Sequence, residues 1–180
     1  MHRRHSLVLS IKAALLTPTA TALLLWGCNW SPSRPFERNA PEVDNAIRAL
    51  DAGDANAAAD LLEQYLSTGK CADGSIGLPD RVRDKQGASF DLGLSLFHLS
   101  ERYGKRFGEE EQTADGGVDP EAQTEAQLRS DQVDCALKIV KAIAMSPSTP
   151  VDLAARAHYL AGNLEFLRRG YQAAVASYDE

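Results

Sequence analysis

The side chains with the broadest chemistry in this chain are three cysteines, Cys28, Cys71 and Cys135, and four histidines, His2, His5, His98 and His158. No C-x-x-C pair occurs, so neither a thioredoxin-like redox centre nor a cysteine zinc site is indicated. His98 and His158 stand alone on helical stretches with no second ligand at a metal spacing, and both read as packed or surface histidines. No serine sits in a G-x-S-x-G turn, and neither Gly93 nor Gly116-Gly117 belongs to a phosphate loop. Glu109, Glu110 and Glu111 supply carboxylates, but no rigid frame sets them at a catalytic separation. Such a run reads as a solvated loop, with a cation or partner site as the sharper alternative. No catalytic, cofactor-binding or metal residue is assigned, and the chain reads as a non-enzyme.

The elements that carry these residues must fit 180 positions, which is room for one ordinary domain or a few helical repeats. Basic residues number 19 against 25 acidic, a net charge of −6. Removing residues 1–27 takes away Arg3, Arg4 and Lys12 and no acid, leaving 16 basic against 25 acidic, or −9. An acidic surface without a basic stripe excludes nucleic acid as the expected partner, because phosphate neutralisation needs clustered Lys and Arg. It equally excludes a polybasic membrane-surface patch. A protein partner fits this balance best.

The N-terminus has its own pattern. Arg3 and Arg4 precede an apolar run from Leu7 to Trp26, broken by Ser10, Lys12 and Thr17-Pro18-Thr19. A positive start, an apolar middle and a small residue at the end form a secretory signal over residues 1–27. A transmembrane anchor would need about 20 apolar residues, and the stretch after Pro18 is far shorter. The run closes on Leu25-Trp26-Gly27-Cys28. This resembles the bacterial lipobox through Leu25, Gly27 and Cys28, while Trp26 stands where a small residue is usual. The resemblance implies cleavage before Cys28, a diacylglycerol on its thiol and a further acyl chain on its amine. With ~0.8 kcal/mol from each buried methylene, several acyl chains anchor a soluble domain stably. Residues 28–40 follow as a tether, with Pro-rich Ser31-Pro32-Ser33-Arg34-Pro35 suited to holding a domain off a bilayer. The implied location is the bacterial cell envelope, lipid-anchored and facing the periplasm, on either membrane.

From Pro41 onward Ala, Leu, Glu, Gln and Arg dominate, and no segment alternates apolar and polar residues long enough for a strand. The body is expected to be all-α over residues 41–180. One unit spans 41–69: Val43, Ala46, Ile47 and Leu50 form a stripe, Gly53-Asp54 turns the chain, and Ala58, Leu61, Leu62, Tyr65 and Leu66 form a second stripe ending by Gly69. A middle unit spans 88–147. Its first helix holds Phe90 to Phe97 and its second Gln132 to Met145, with a disordered acidic insertion expected over about 104–128. The last unit, 152–180, has Ala157 to Asn163 in one helix, a turn at Arg169-Gly170, and Tyr171 to Tyr178 in the next; it is expected to be truncated.

These residues resemble the tetratricopeptide repeat (TPR). Gly162-Asn163, Tyr171, Ala174 and Tyr178 match its motif without a gap, and Gly53, Asp54, Ala58 and Leu62 fall on equivalent positions in the first unit. Glu165 departs from the pattern, where a large apolar residue is usual; Leu164 and Phe166 stand beside it. The resemblance implies antiparallel hairpins in a short right-handed solenoid that binds a peptide or an envelope protein. First-helix polar groups such as Asp91, Arg156 and Asn163 would then face the partner. An alternative is the helical tether of a longer envelope enzyme whose catalytic domain lies beyond residue 180.

In a regular repeat Cys71 and Cys135 would lie near opposite helix ends, separated by about 20 Å. A disulfide needs Cα atoms within about 7 Å, so it forms only if the segment after Gly69 folds back. Bonded and separate thiols both remain open at this level.

Overall fold

The computed structural model describes residues 40–102 and 120–180. The expected signal peptide, Cys28, the expected tether through residue 39 and Glu109–Glu111 lie outside the described residues. Seven helices form the described part, and it contains no strand: α1 Pro41–Asp51, α2 Ala55–Leu66, α3 Asp80–Asp84, α4 Gln86–Arg102, α5 Pro120–Ala144, α6 Val151–Leu167 and α7 Tyr171–Tyr178. None of the described helices is long and apolar enough to cross a membrane.

Local chemistry sets the boundaries. Pro41 opens α1, where its missing N–H has no helical partner to lose. Gly53, at φ +77°, adopts the left-handed conformation that ends the helix. Asp54 then caps α2, accepting the Ala57 N–H at 3.1 Å. The α1–α2 turn is thus specified within a few residues, and the two apolar stripes meet. Val43 and Ala46 pack with Ala55, Ala59, Leu62 and Leu66 in one core.

That core runs on through successive helices. α2 packs on α4, α4 on α5, α5 on α6 and α6 on α7, while short α3 wedges against α4 and α5. Leu92 and Leu96 of α4 and Val133, Ile139, Val140 and Ile143 of α5 are fully buried. Ser89 is buried among them and donates to the Val82 carbonyl at 2.9 Å, tying α4 to α3.

The second helix of the middle unit starts earlier than expected. Residues 120–128, assigned to the insertion on polarity, form the first turns of α5. Pro120 occupies its first position, and Glu121-Ala122-Gln123-Thr124-Glu125-Ala126-Gln127-Leu128 is rich in helix formers. Polarity reported solvation here, not disorder. Adding residues to an existing helix is easy, so mostly exposed turns extend the buried helix behind them.

Candidate functional site

A groove of about 410 Å³ opens between α4 and α6. Phe90, Leu94 and Phe97 come from α4, spaced so that one helical face presents all three. Arg156, Tyr159 and Asn163 come from α6 at equivalent spacing, above a floor that includes Leu160. Phe90 and Leu160 are buried, whereas Tyr159 is 65% exposed. The walls are therefore largely apolar, with polar groups at the ends.

The polar groups are held in place. The Arg156 guanidinium sits over the Phe90 ring at 4.7 Å, an attraction of ~0.5–1 kcal/mol at an exposed site. Burial pushes the neighbouring Asp91 carboxyl above its ordinary pKa, and the charge of Arg156 opposes that rise. Tyr178 donates its hydroxyl to Asn163 Oδ1 at 2.9 Å, which leaves the Asn163 amide nitrogen as the group to offer a ligand. The Tyr159 and Tyr178 rings meet at 5.8 Å. Of the three polar residues singled out from sequence, Arg156 and Asn163 line the groove and Asp91 adjoins it, half-buried.

Two close approaches shape the helix pairs behind the groove. A Cβ on Gly93 would stand 2.5 Å from Val140 Cγ1, and one on Gly162 would overlap the Tyr178 ring. Each glycine lets the next helix lie against its own.

Away from the groove, Cys71 and Cys135 are joined in a disulfide with Cα atoms 6.0 Å apart. The segment between α2 and α3 folds back to make this so. Ser67 and Gly69 take positive φ, Gly77 N–H donates to the Thr68 carbonyl at 3.0 Å, and buried Ile76 pins the return. Glu63, also buried, accepts the Cys71 N–H at 3.1 Å and pairs with Lys70 at 3.3 Å. Burial raises the Glu63 pKa, and the Cys71 and Lys70 bonds offset only part of it.

Glu165 is itself buried, at 1% exposed; beside it Leu164 is in the core and Phe166 turns outward at 58%. Lys141 and Arg168 each reach it at 2.6 Å, and Arg168 continues to Asp134 at 3.0 Å. Burial alone would raise the Glu165 pKa; the two cations together outweigh it and hold the carboxyl low. The signal missed in sequence was the supply of cations, with Lys141 on one helix and Arg168 three residues on.

His98 pairs with Glu101 at 3.0 Å, and among the described residues no group of three or more His, Cys, Asp and Glu is placed to hold a metal. The groove aromatics Phe97 and Tyr159 were not singled out as contacts from sequence, because an apolar helical position reads as core. No family model, curated protein or solved structure matches this chain.

Proposed function

We propose that this chain is a non-catalytic protein-interaction module built of TPR-like helical hairpins. It is tethered through lipidated Cys28 and faces the periplasm. The groove between α4 and α6 takes an extended peptide segment of an envelope protein, with one large apolar side chain inserted between Leu94, Phe97 and Tyr159.

The observation that carries this reading is the matched presentation of two first helices. Phe90 and Tyr159 each lie three residues before a close-packing glycine, and Leu94 and Asn163 each lie one residue after it; all four line one groove. Such repetition of role supports a repeat architecture with a shared binding face. Burying one Leu- or Phe-sized side chain contributes ~1.5–3 kcal/mol, so a single anchor with a few hydrogen bonds gives weak, exchangeable binding. Arg156 and the Asn163 amide supply donors for peptide carbonyls at the two ends.

The test is selection of peptides from a random library on the full chain, followed by fluorescence anisotropy with the selected sequences. Peptides sharing a large apolar residue are expected, and Leu94→Asp should weaken them at least tenfold while leaving the helical circular dichroism unchanged. Selection that yields no common apolar anchor, or binding indifferent to Leu94→Asp, removes the groove from the function.

A further inference from the structure

Three planar groups line the groove between α4 and α6, and a neighbouring ring braces each of them from one side. The Arg156 guanidinium lies over the Phe90 ring at 4.7 Å. Phe97 meets the His98 ring at 5.4 Å, and Tyr159 meets Tyr178 at 5.8 Å. A group held on one side keeps its other side for whatever enters the groove. Braced groups also lose little freedom when a ligand arrives, so their contacts are not spent on ordering them.

The guanidinium is the distinctive member. Phe90 is buried beneath it, whereas Arg156 is exposed, and its side chain makes no ion pair or hydrogen bond among the described residues. Asp91 acts on it through space only. A guanidinium is planar and weakly hydrated, so it stacks readily on aromatic faces. With Phe90 on one face, the opposite face of Arg156 can carry a second ring, while its edge N–H groups still reach a peptide carbonyl. A saturated side chain of equal size would fill the same volume but offers the cation no π-face. A cationic side chain, which a purely aromatic box would favour, meets the like charge of Arg156 here.

We propose that the groove selects an aromatic residue of its peptide over aliphatic and cationic ones, and that Arg156 makes the choice. This rests on the reading of the groove as a peptide site and names the side chain that enters it. The ligand ring lies above Leu94 and Leu160, against the guanidinium on one side and Phe97 and Tyr159 on the other. Tryptophan ranks first, because indole is the best ring partner for a cation. Apolar burial alone gives a different order. Cyclohexylalanine, with at least the apolar area of phenylalanine, would then bind as tightly or more tightly.

The experiment titrates the full chain with blocked peptides Ala-Ala-X-Ala-Ala, read by saturation-transfer NMR, which suits weak binding. X is tryptophan, phenylalanine, cyclohexylalanine, leucine or lysine. Tryptophan and phenylalanine should bind at least fivefold more tightly than cyclohexylalanine and leucine, with lysine weakest. In Arg156→Gln, a surface change that should leave the helical circular dichroism intact, the gap between phenylalanine and cyclohexylalanine should fall below twofold. Cyclohexylalanine binding as well as phenylalanine in the wild type overturns the proposal, as does lysine binding as well as leucine. A gap unchanged by Arg156→Gln overturns it too, by removing the guanidinium from the choice. Binding that Leu94→Asp abolishes but the cyclohexyl replacement does not affect overturns this inference and leaves the groove standing. Indifference to Leu94→Asp removes both.

Discussion

The Cys71 backbone N–H donates to Glu63 Oε1 at 3.1 Å, so the residue that bonds α5 through its sulfur is also held to α2 through its amide. One irregular loop thereby ties together two helices that are far apart in the chain. Cys135 is fully buried, and the Cys71 sulfur lies 3.3 Å from the Asp131 carbonyl oxygen on the same helix. Covalent and polar contacts converge on a segment that has little apolar surface besides Ile76 and Val82 to hold it.

The disulfide joins positions 64 apart in sequence. Cross-linking a loop of that length restricts the unfolded chain and is worth about 4 kcal/mol on the loop-entropy account. Paired Cys71→Ser and Cys135→Ala substitutions should lower the urea unfolding free energy by about that amount. A midpoint unaffected by the substitutions, and by dithiothreitol in the wild type, would show that the bond adds no stability.

Glu63 and Glu165 should respond to pH in opposite senses. The Glu63 pKa is raised above 4.5 in the folded chain, so protonation favours folding. Its contribution is complete below pH 4.5 and is lost as pH rises through the folded value. Glu63→Gln keeps an acceptor for the Cys71 N–H and removes the buried charge. At pH 7 it should be neutral or stabilising by about 1 kcal/mol, read from urea melts. A loss above about 2 kcal/mol would mean that the Lys70 pairing outweighs desolvation.

For Glu165 the folded pKa lies below 4.5, so its contribution is present above that pH and lost as pH falls through the folded value. Glu165→Gln should cost about 2 kcal/mol at pH 7. This is less than a fully buried broken pair, because Lys141 and Arg168 side chains are 44% and 42% exposed and can rehydrate. The gap between wild type and variant should narrow only below pH 4.5; a constant gap from pH 7 to pH 3 would rule out an electrostatic origin.

The two close-packing glycines should differ. Alanine gains ~1 kcal/mol of helix propensity over glycine, against ~1–3 kcal/mol for overpacking. Val140, opposite Gly93, is fully buried and has nowhere to go, so Gly93→Ala should destabilise the whole core. Tyr178, opposite Gly162, is 45% exposed and can swing out, so Gly162→Ala should loosen α7 and cost less globally. Thermal melts with hydrogen exchange on α7 separate the two; the reverse ranking would contradict this packing.

The anchor is tested by labelling with an alkyne fatty acid. The wild-type chain should take the label and sediment with membranes, and Cys28→Ala should lose both. An unlabelled wild type, released to the periplasm, would mean that Trp26 prevents lipobox processing.

Much of the helical organisation was legible because its causes are local. Pro41, the Gly53-Asp54 turn and the Arg169-Gly170 turn mark boundaries through backbone preference and a single capping bond. The start of α5 was misplaced because polarity alone does not distinguish a solvated helix from a loop; helix-forming composition does. Of the two apolar residues beside Glu165, Leu164 is buried in the core and Phe166 faces water.

The sequence by itself determined an all-helical body, the turns between its first and last helix pairs, and the residues that face one way along each helix. These follow from hydrogen bonds and side-chain periods that span four residues or fewer. Only the tertiary structure decided that Cys71 reaches Cys135, that Glu165 is buried between Lys141 and Arg168, and that Phe90, Leu94 and Phe97 share a groove with Arg156, Tyr159 and Asn163. Each of those joins elements distant in sequence, and their meeting is set by how whole helices pack, which no short window of residues encodes.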